Sequence, residues 1–324
     1  MKKVLALLLA LAMIFSFAAC GKKEEAQQPQ EGGTKWPEKT VEFICPFSAG
    51  GDSDTYLRAA ADILAKEWGV NCIVTNMTGG GSASARYCAD ADPDGYTVYY
   101  SNSSMLTQFA TGKVPDIAYG KDLLAVGTIA LDETYAVVCR KDSGFKTIKD
   151  VADALKAKPE SLKFTIVAQS STQYLLHQME AALGCKWKEI EAGTDNATRL
   201  ISVLNGEADF MMGNYANFKD YIANGDLVCL GIMAQERNAA FSDVPTLKEQ
   251  GCPVFMSKYY EFRLPDGTPQ EIIDKLSAGL KTVTEKSEFA EVLKKWDDIP
   301  CYLTPAELDE YDLGEIERQA KDFK

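Results

Sequence analysis

The sequence predicts an α/β protein built as two similar layered halves, and three observations carry that expectation. Short β-prone runs alternate with stretches of helix-spaced apolar residues from residue 41 onward, and the alternation passes through two rounds. A chain of 324 residues also exceeds what one hydrophobic core organises efficiently. The charge balance narrows the partners. Against 34 Lys and Arg stand 47 Asp and Glu, a net −13, and no run of basic residues exceeds a pair. Without a broad cationic face to displace phosphate counterions, nucleic acid is excluded as a partner.

The elements follow in chain order. Lys2 and Lys3 precede an apolar run over residues 4–14 and then a small-residue stretch, the pattern of an export signal over residues 1–19. Residues 22–35 are rich in Lys, Glu, Gln, Gly and Pro without a buried-face period, which predicts a flexible tether. Residues 41–47 read as a strand and residues 54–68 as a helix, with Leu57, Ala60, Ala61, Leu64 and Ala65 at helical spacing and Asp54 as a candidate cap. A strand over 72–75, a Gly79-Gly80-Gly81 turn, a helix over 82–89 and a strand over 96–100 complete a β-α-β-α-β order, which implies a parallel sheet. The second round places strands at 124–129, 135–139, 164–168, 187–190, 209–212 and 227–232. Helices at 148–156, 172–183 and 196–204 lie between them. A strand region over 255–263 and helices over 270–286, 288–296 and 305–324 close the chain.

One turn stands out chemically. Phe47-Ser48-Ala49-Gly50-Gly51-Asp52-Ser53 joins the first strand to the first helix, where paired glycines let a ligand approach the backbone and a helix start offers free N–H groups to an anion. Its spacing is neither GxGxxG nor a P-loop, so dinucleotide binding is unsupported, and a purely structural turn explains these residues equally well. Ser101-Asn102-Ser103-Ser104 reads either as a site or as a strand-to-helix turn, and Thr172 as a helix cap. Tyr99, Tyr100, Tyr259 and Tyr260 fit a core better than a stacking wall. His177 is the single imidazole, and it sits in a helical run with Leu175, Leu176 and Met179. No zinc spacing, no other metal motif, no cofactor motif and no nucleophile elbow accompany it. Eight cysteines follow Cys20, without CxxC spacing, and are compatible with buried thiols or with bridges.

Several motifs together carry a family resemblance. Trp36-Pro37, the PF-x-x-GG-x-x-D pattern ending at Asp54, Asp92-Pro93-Asp94-Gly95-Tyr96-Thr97, Gly206-x-x-Asp209-Phe210-Met211 and Asp243-Val244-Pro245-Thr246-Leu247 resemble, in this order, the substrate-binding proteins of tripartite tricarboxylate transporters, the TctC or Bug family. Phe17-Ala18-Ala19-Cys20-Gly21 resembles a bacterial lipobox, so Cys20 would be acylated and hold the protein in the bilayer at the outer face of the cytoplasmic membrane. The resemblance implies a two-domain, periplasmic-binding-protein-like type II fold, with residues 36–134 and 255–324 in domain 1 and 135–254 in domain 2. A small carboxylate would bind in the cleft between the closing lobes. The implied protein is a monomeric, non-enzymatic, cofactor-free receptor that delivers its ligand to integral membrane permease subunits.

By the same resemblance four loops hold the ligand. Phe47 to Ser53 would take one carboxylate, with Ser101, Asn102, Ser103 and Ser104 facing the same group. Gln169, Ser170, Ser171, Thr172 and Gln173 would receive the distal end, joined by Gly193 and Asn214. Three departures bear on the ligand: the family's usual Asp before that Asn is Gly213, its Y-K-G reads Glu191-Ala192-Gly193, and the glycines of its second-domain loop are replaced by Ala168 and Ser170. Losing the Asp disfavours an amino acid, although Glu191 or Asp195 is placed to substitute. Competing readings are an oxyanion or phosphonate receptor of an ATP-driven importer and an anchored cysteine hydrolase. A sensor role is indistinguishable from transport at this level.

Overall fold

In the computed structural model β1 (Val41–Cys45), α1 (Asp52–Trp68), β2 (Cys72–Asn76), α2 (Ser82–Ala89) and β3 (Thr97–Asn102) reproduce the expected alternation, and β1 pairs in parallel with both β2 and β3. Helical crossovers impose that direction, because parallel neighbours need a long return. The structure describes residues 35–78, 82–193 and 195–323. The expected export signal, Cys20, the tether up to residue 34 and the Gly79-Gly80-Gly81 turn lie outside the described residues.

After β3 come a 3₁₀ turn, Ser103–Met105, and α3 (Leu106–Ala110), which apolar spacing did not foretell because they are too short to show a period. β4 (Leu123–Asp132) then leads through two residues into β5 (Tyr135–Arg140) of a second sheet. That sheet is completed by β6 (Lys163–Ile166), β7 (Lys188–Glu191), β8 (Phe210–Asn214) and β9 (Leu227–Ile232) in the order β7-β6-β8-β5-β9. Its helices are α4 (Ile148–Ala157), α5 (Ser171–Leu183), α6 (Asn196–Leu204) and the short α7 (Lys219–Asn224). The chain returns as β10 (Lys258–Pro265), then α8 (Gln270–Glu285), α9 (Ser287–Leu293), β11 (Ile299–Pro300) and α10 (Pro305–Asp322).

The first sheet runs β11-β4-β10-β3-β1-β2, so the parallel order stops at β3: β10 re-enters from the other sheet and lies antiparallel between β3 and β4. The second sheet is mixed too, with β5 antiparallel to β8 and β9. Helices cover both faces of each sheet, which explains why the central strands are almost wholly buried rather than alternating. On the first sheet Phe43, Tyr100 and Phe262 pack against Leu57 and Leu64 of α1 and Leu276 and Leu280 of α8, while Ile44 and Tyr99 on the opposite face meet Ala85, Cys88 and Leu106. On the second, Phe164, Phe210 and Met212 meet α4 and α5, and Val138 and Met211 meet Leu200 and Val203 of α6.

The Asp92-Pro93-Asp94-Gly95 motif has a packing reason. Gly95 has φ +80°, and a Cβ there would come within 2.7 Å of the Trp36 indole nitrogen and closer still to Ile272, so only glycine lets the turn close on both. No described helix is long and apolar enough to cross a membrane.

Candidate functional site

A cleft of about 420 Å³ opens where the loops after β1, β3, β6 and β7 and the end of β8 converge. Crevices at the carboxyl ends of parallel strands are where α/β sheets collect ligand-binding loops, because helix starts point their free N–H groups there. From the first sheet the cleft is bordered by Phe47, Gly51, Asp52, Ser53, Asn102 and Ser104. From the second come Ser170, Ser171, Thr172 and Asn214. These ten sequence-predicted residues are thus brought together.

The remaining predicted residues have other positions. Ser48, Ala49 and Gly50 are exposed beside the cleft, where Gly50 at φ +86° turns the chain and its N–H donates to Asp54 Oδ2 at 2.9 Å. Gly51, at φ −74°, precedes α1, so Asp54 is not the cap; it lies within the first turn and accepts from Gly50, Asn76 and Arg58. Ser101 is buried inside the sheet, because strand alternation turns it away from its neighbour Asn102. Ser103 Oγ accepts from the Tyr259 N–H at 3.0 Å. Gln169 and Gln173 bond to one another at 2.8 Å, and Gln173 reaches Glu189. Gly193 does not border the cleft. The cap of α5 is Ser170 rather than Thr172, whose hydroxyl instead accepts from the Val167 N–H at 2.9 Å.

The cleft also takes in Asp195, which the sequence offered as a substitute for the family's Asp, and residues that the sequence did not single out, among them Met105, Gln108, Tyr135, Asn196, Arg199, Asn217, Lys258 and Trp296. Lys258 is the most consequential. Its Nζ lies 2.9 Å from Asp52 Oδ2 and 2.9 Å from Asp132 Oδ2, and Asp132 also accepts from Asn214 Nδ2 at 2.9 Å and from the Thr134 N–H at 2.8 Å. One cation therefore joins the start of α1 to the ends of both strands at the crossing between sheets. Burial alone would raise the Asp52 carboxyl, but Lys258 outweighs it and holds the group down at about 2. With Lys258 outnumbered by two carboxylates, this side of the cleft offers a ligand the neutral Asn102 amide and the backbone at the start of α1 rather than a free cation, while the Ser53 and Ser104 hydroxyls donate to Asp52 and Asn102.

Asp298 lies behind this network, 5% exposed, with Tyr56 donating to Oδ2 at 2.7 Å. Burial, reinforced by the nearby Asp132 charge, pushes its carboxyl up to about 9, so it is a neutral acid at pH 7. The folded state then holds a proton that the unfolded state releases, and stability is lost as pH rises from the ordinary carboxyl value of 3.8 towards about 9. Asp298→Asn keeps the neutral shape and should flatten that decline. Thermal unfolding at pH 6 and pH 8.5 checks it; equal slopes in the two proteins would refute the neutral acid.

The bland readings of the other polar and aromatic residues hold. Tyr99, Tyr100 and Tyr260 are fully buried, and Tyr259 stands edge-on against Tyr311 with ring centroids 4.7 Å apart. Both His177 ring nitrogens face carboxylates, Nδ1 at 2.8 Å from Asp322 and Nε2 at 2.9 Å from Glu189, which ties α5 to α10 and leaves no nitrogen to deprotonate a thiol. All eight described cysteines are free, and burial pushes the Cys45 and Cys185 thiols up to about 11.

Comparison with known proteins agrees with this geometry. Residues 56–320 match the family described as "Tripartite tricarboxylate transporter family receptor". A UPF0065 protein from the ttuE–ttuC′ intergenic region of Agrobacterium vitis is 30% identical over 295 residues, covering 88% of this chain and 84% of that one. Protein BugT of Bordetella pertussis is 26% identical over 290 residues, covering 88% of each. Among solved structures, malate-bound MatC of Rhodopseudomonas palustris superposes with a TM-score of 0.73 at 24% identity, covering 89% of this chain and all of that one. An adipate-bound protein from the same organism gives 0.76 at 21%, covering 88% and 96%. These establish the fold as that of the two-layered periplasmic solute-binding proteins. With most of its length matched, the chain belongs to the solute-binding receptors of the tripartite tricarboxylate transporter family.

Proposed function

We propose that the protein is a lipid-anchored extracytoplasmic receptor that captures a small carboxylate between two closing lobes and delivers it to a tripartite tricarboxylate-type membrane permease. The lobes are residues 36–134 with 255–324, and residues 135–254. The observation that carries this reading is the cleft itself: helix starts and hydroxyl or amide side chains from both sheets converge on one volume of about 420 Å³, small-metabolite size. The first carboxylate sits against the start of α1, Asn102 and Ser104. The distal end meets Ser170 to Thr172 and the start of α6. The malate and adipate bound by two structural neighbours support a carboxylate ligand.

Closure is a population shift whose extent depends on how much better the closed form binds. The bridges available to it already lie along the cleft's margins: Lys113 Nζ donates to the Ala168 carbonyl at 2.6 Å, and Lys219 Nζ lies 3.3 Å from Asp297. The lipobox resemblance supports acylation of Cys20 and attachment of an otherwise water-exposed, monomeric body to the outer face of the cytoplasmic membrane. A receptor of this kind binds without chemistry, and the occupied nitrogens of His177 support that.

Thermal unfolding of residues 34–324 against mono-, di- and tricarboxylates, phosphonates and amino acids tests the reading. A ligand at a hundred times its dissociation constant should add about 2.7 kcal/mol of stability. A shift confined to carboxylates is the expected result. A shift with phosphonates alone would replace the carboxylate reading with the oxyanion one.

A further inference from the structure

We propose that Arg199 recognises a second acidic group on the ligand, so that the cleft selects dianions over monoanions of the same length; this rests on the reading of the cleft as the carboxylate site. Three cationic side chains are buried among the described residues: Arg199 at 3% exposure, Lys258 at 7% and Arg263 at 0%. Two of them have acidic partners within the protein. Lys258 holds Asp52 and Asp132, and Arg263 holds Asp309 and Asp312. Arg199 holds no carboxylate. Its Nη2 donates to the neutral Asn196 Oδ1, while Nε and Nη1 are hidden from solvent and reach no acceptor.

A buried guanidinium with unsatisfied N–H groups is costly, and a fold keeps one where a partner arrives from outside. Arg199 borders the cleft from α6, and the Gly51 to Ser53 turn borders it from the other sheet. Neighbouring elements supply no substitute anion. The Asp195 carboxylate is engaged by the Thr198 N–H and hydroxyl, both at 2.8 Å, as the cap of α6. On β8 the position facing Asn196 is Gly213, where even a Cβ would lie 3.5 Å from Asn196 Oδ1, so that strand brings no carboxylate either. Lys258 is already doubly matched. The ligand's first acidic group is therefore held by neutral donors, and Arg199 provides the uncompensated positive charge for the second.

The test measures binding of succinate, glutarate and adipate, and of the corresponding half-amides, to residues 34–324, which include the whole compact unit. Replacing one carboxylate by an amide of the same shape removes the charge that Arg199 would meet and one of its two acceptor oxygens. The diacid that fits should bind about 30- to 100-fold more tightly than its half-amide, the worth of a buried charge-assisted contact. Arg199→Gln should weaken the diacid far more than the half-amide and so collapse that ratio towards one, and Arg199→Lys should restore part of it. Equal affinities for diacid and half-amide in the unaltered protein would overturn the proposal without need of a variant. An equal loss for both ligands in Arg199→Gln would also overturn it, as the mark of a merely structural arginine. If none of the six compounds binds, the carboxylate reading of the cleft fails first, and this inference with it.

Discussion

Replacing Lys258 by methionine should cost the protein about 3–5 kcal/mol at pH 7, the usual price of removing one partner from a buried ion pair. The methionine matches the lysine stem in bulk, so the loss is electrostatic: Asp132, with no exposed side-chain surface, and Asp52 are left without their shared cation. Three parts of the fold meet at that nitrogen, namely the start of α1, the end of β4 with its Asn214 contact, and the start of β10. The Asp52 carboxyl, no longer held down by that cation, should then titrate higher. As pH falls from 7 towards the unfolded carboxyl value of 3.8, a carboxyl raised in the folded variant takes up its proton and needs no cation, so the variant's deficit should shrink between pH 7 and pH 4. Urea unfolding at both pH values measures it, and a deficit of equal size at each would show that Lys258 acts through packing. Ligand affinity should fall as well, since the same salt bridge positions Asp52 and Ser53 at the cleft.

A second loss of similar size is expected for Arg263→Met. This arginine is fully buried on β10, with its guanidinium 4.0 Å from the Tyr119 ring centroid, Nη1 2.9 Å from Asp309 and Nη2 against Asp312. Nη1 also donates to the Leu123 carbonyl at 3.0 Å, so one side chain ties β10, β4 and α10 together. Glu261 accepts from the Tyr119 hydroxyl beside it, so Arg263 stands among three acidic neighbours, Glu261, Asp309 and Asp312. Its removal should cost about 3–5 kcal/mol and release α10 first. Hydrogen exchange read along the chain should show faster exchange in residues 305–322 than in α1. Uniform acceleration across both helices would contradict a local role.

These two residues also mark the limit of what the sequence reveals. Strands buried on both faces and helices with a clear apolar stripe, such as α1 and α6, are visible as patterns because their neighbours in space repeat at fixed spacing. Asn102 and Ser104 were placed at the cleft with Ser101 and Ser103 because a loop resemblance carries four residues together, whereas the structure turns Ser101 into the sheet and commits Ser103 to β10. Lys258 and Asp52 are 206 positions apart, and no local pattern joins them. A signal was nonetheless present: Lys258, Glu261 and Arg263 interrupt a strand that is otherwise aromatic or apolar, and charges in a buried strand need partners. Arg199 left a similar trace, since it stands one turn before Val203 on the apolar side of an amphipathic helix. The short α3 and α7 were missed because five or six residues span too little of a helical period.

The central claim is that a carboxylate binds in the cleft between the two sheets, and calorimetric titration of a cleft-blocked variant tests it most directly. Ser104 borders the cleft and is only partly buried, so Ser104→Trp should occupy ligand space while keeping the unliganded melting temperature within a few degrees. The carboxylate that gives the largest thermal shift should bind the unaltered protein with one-to-one stoichiometry and bind the blocked protein at least about 100-fold more weakly, a loss of about 2.7 kcal/mol. Undiminished binding to a folded Ser104→Trp protein would place the ligand elsewhere and contradict the account.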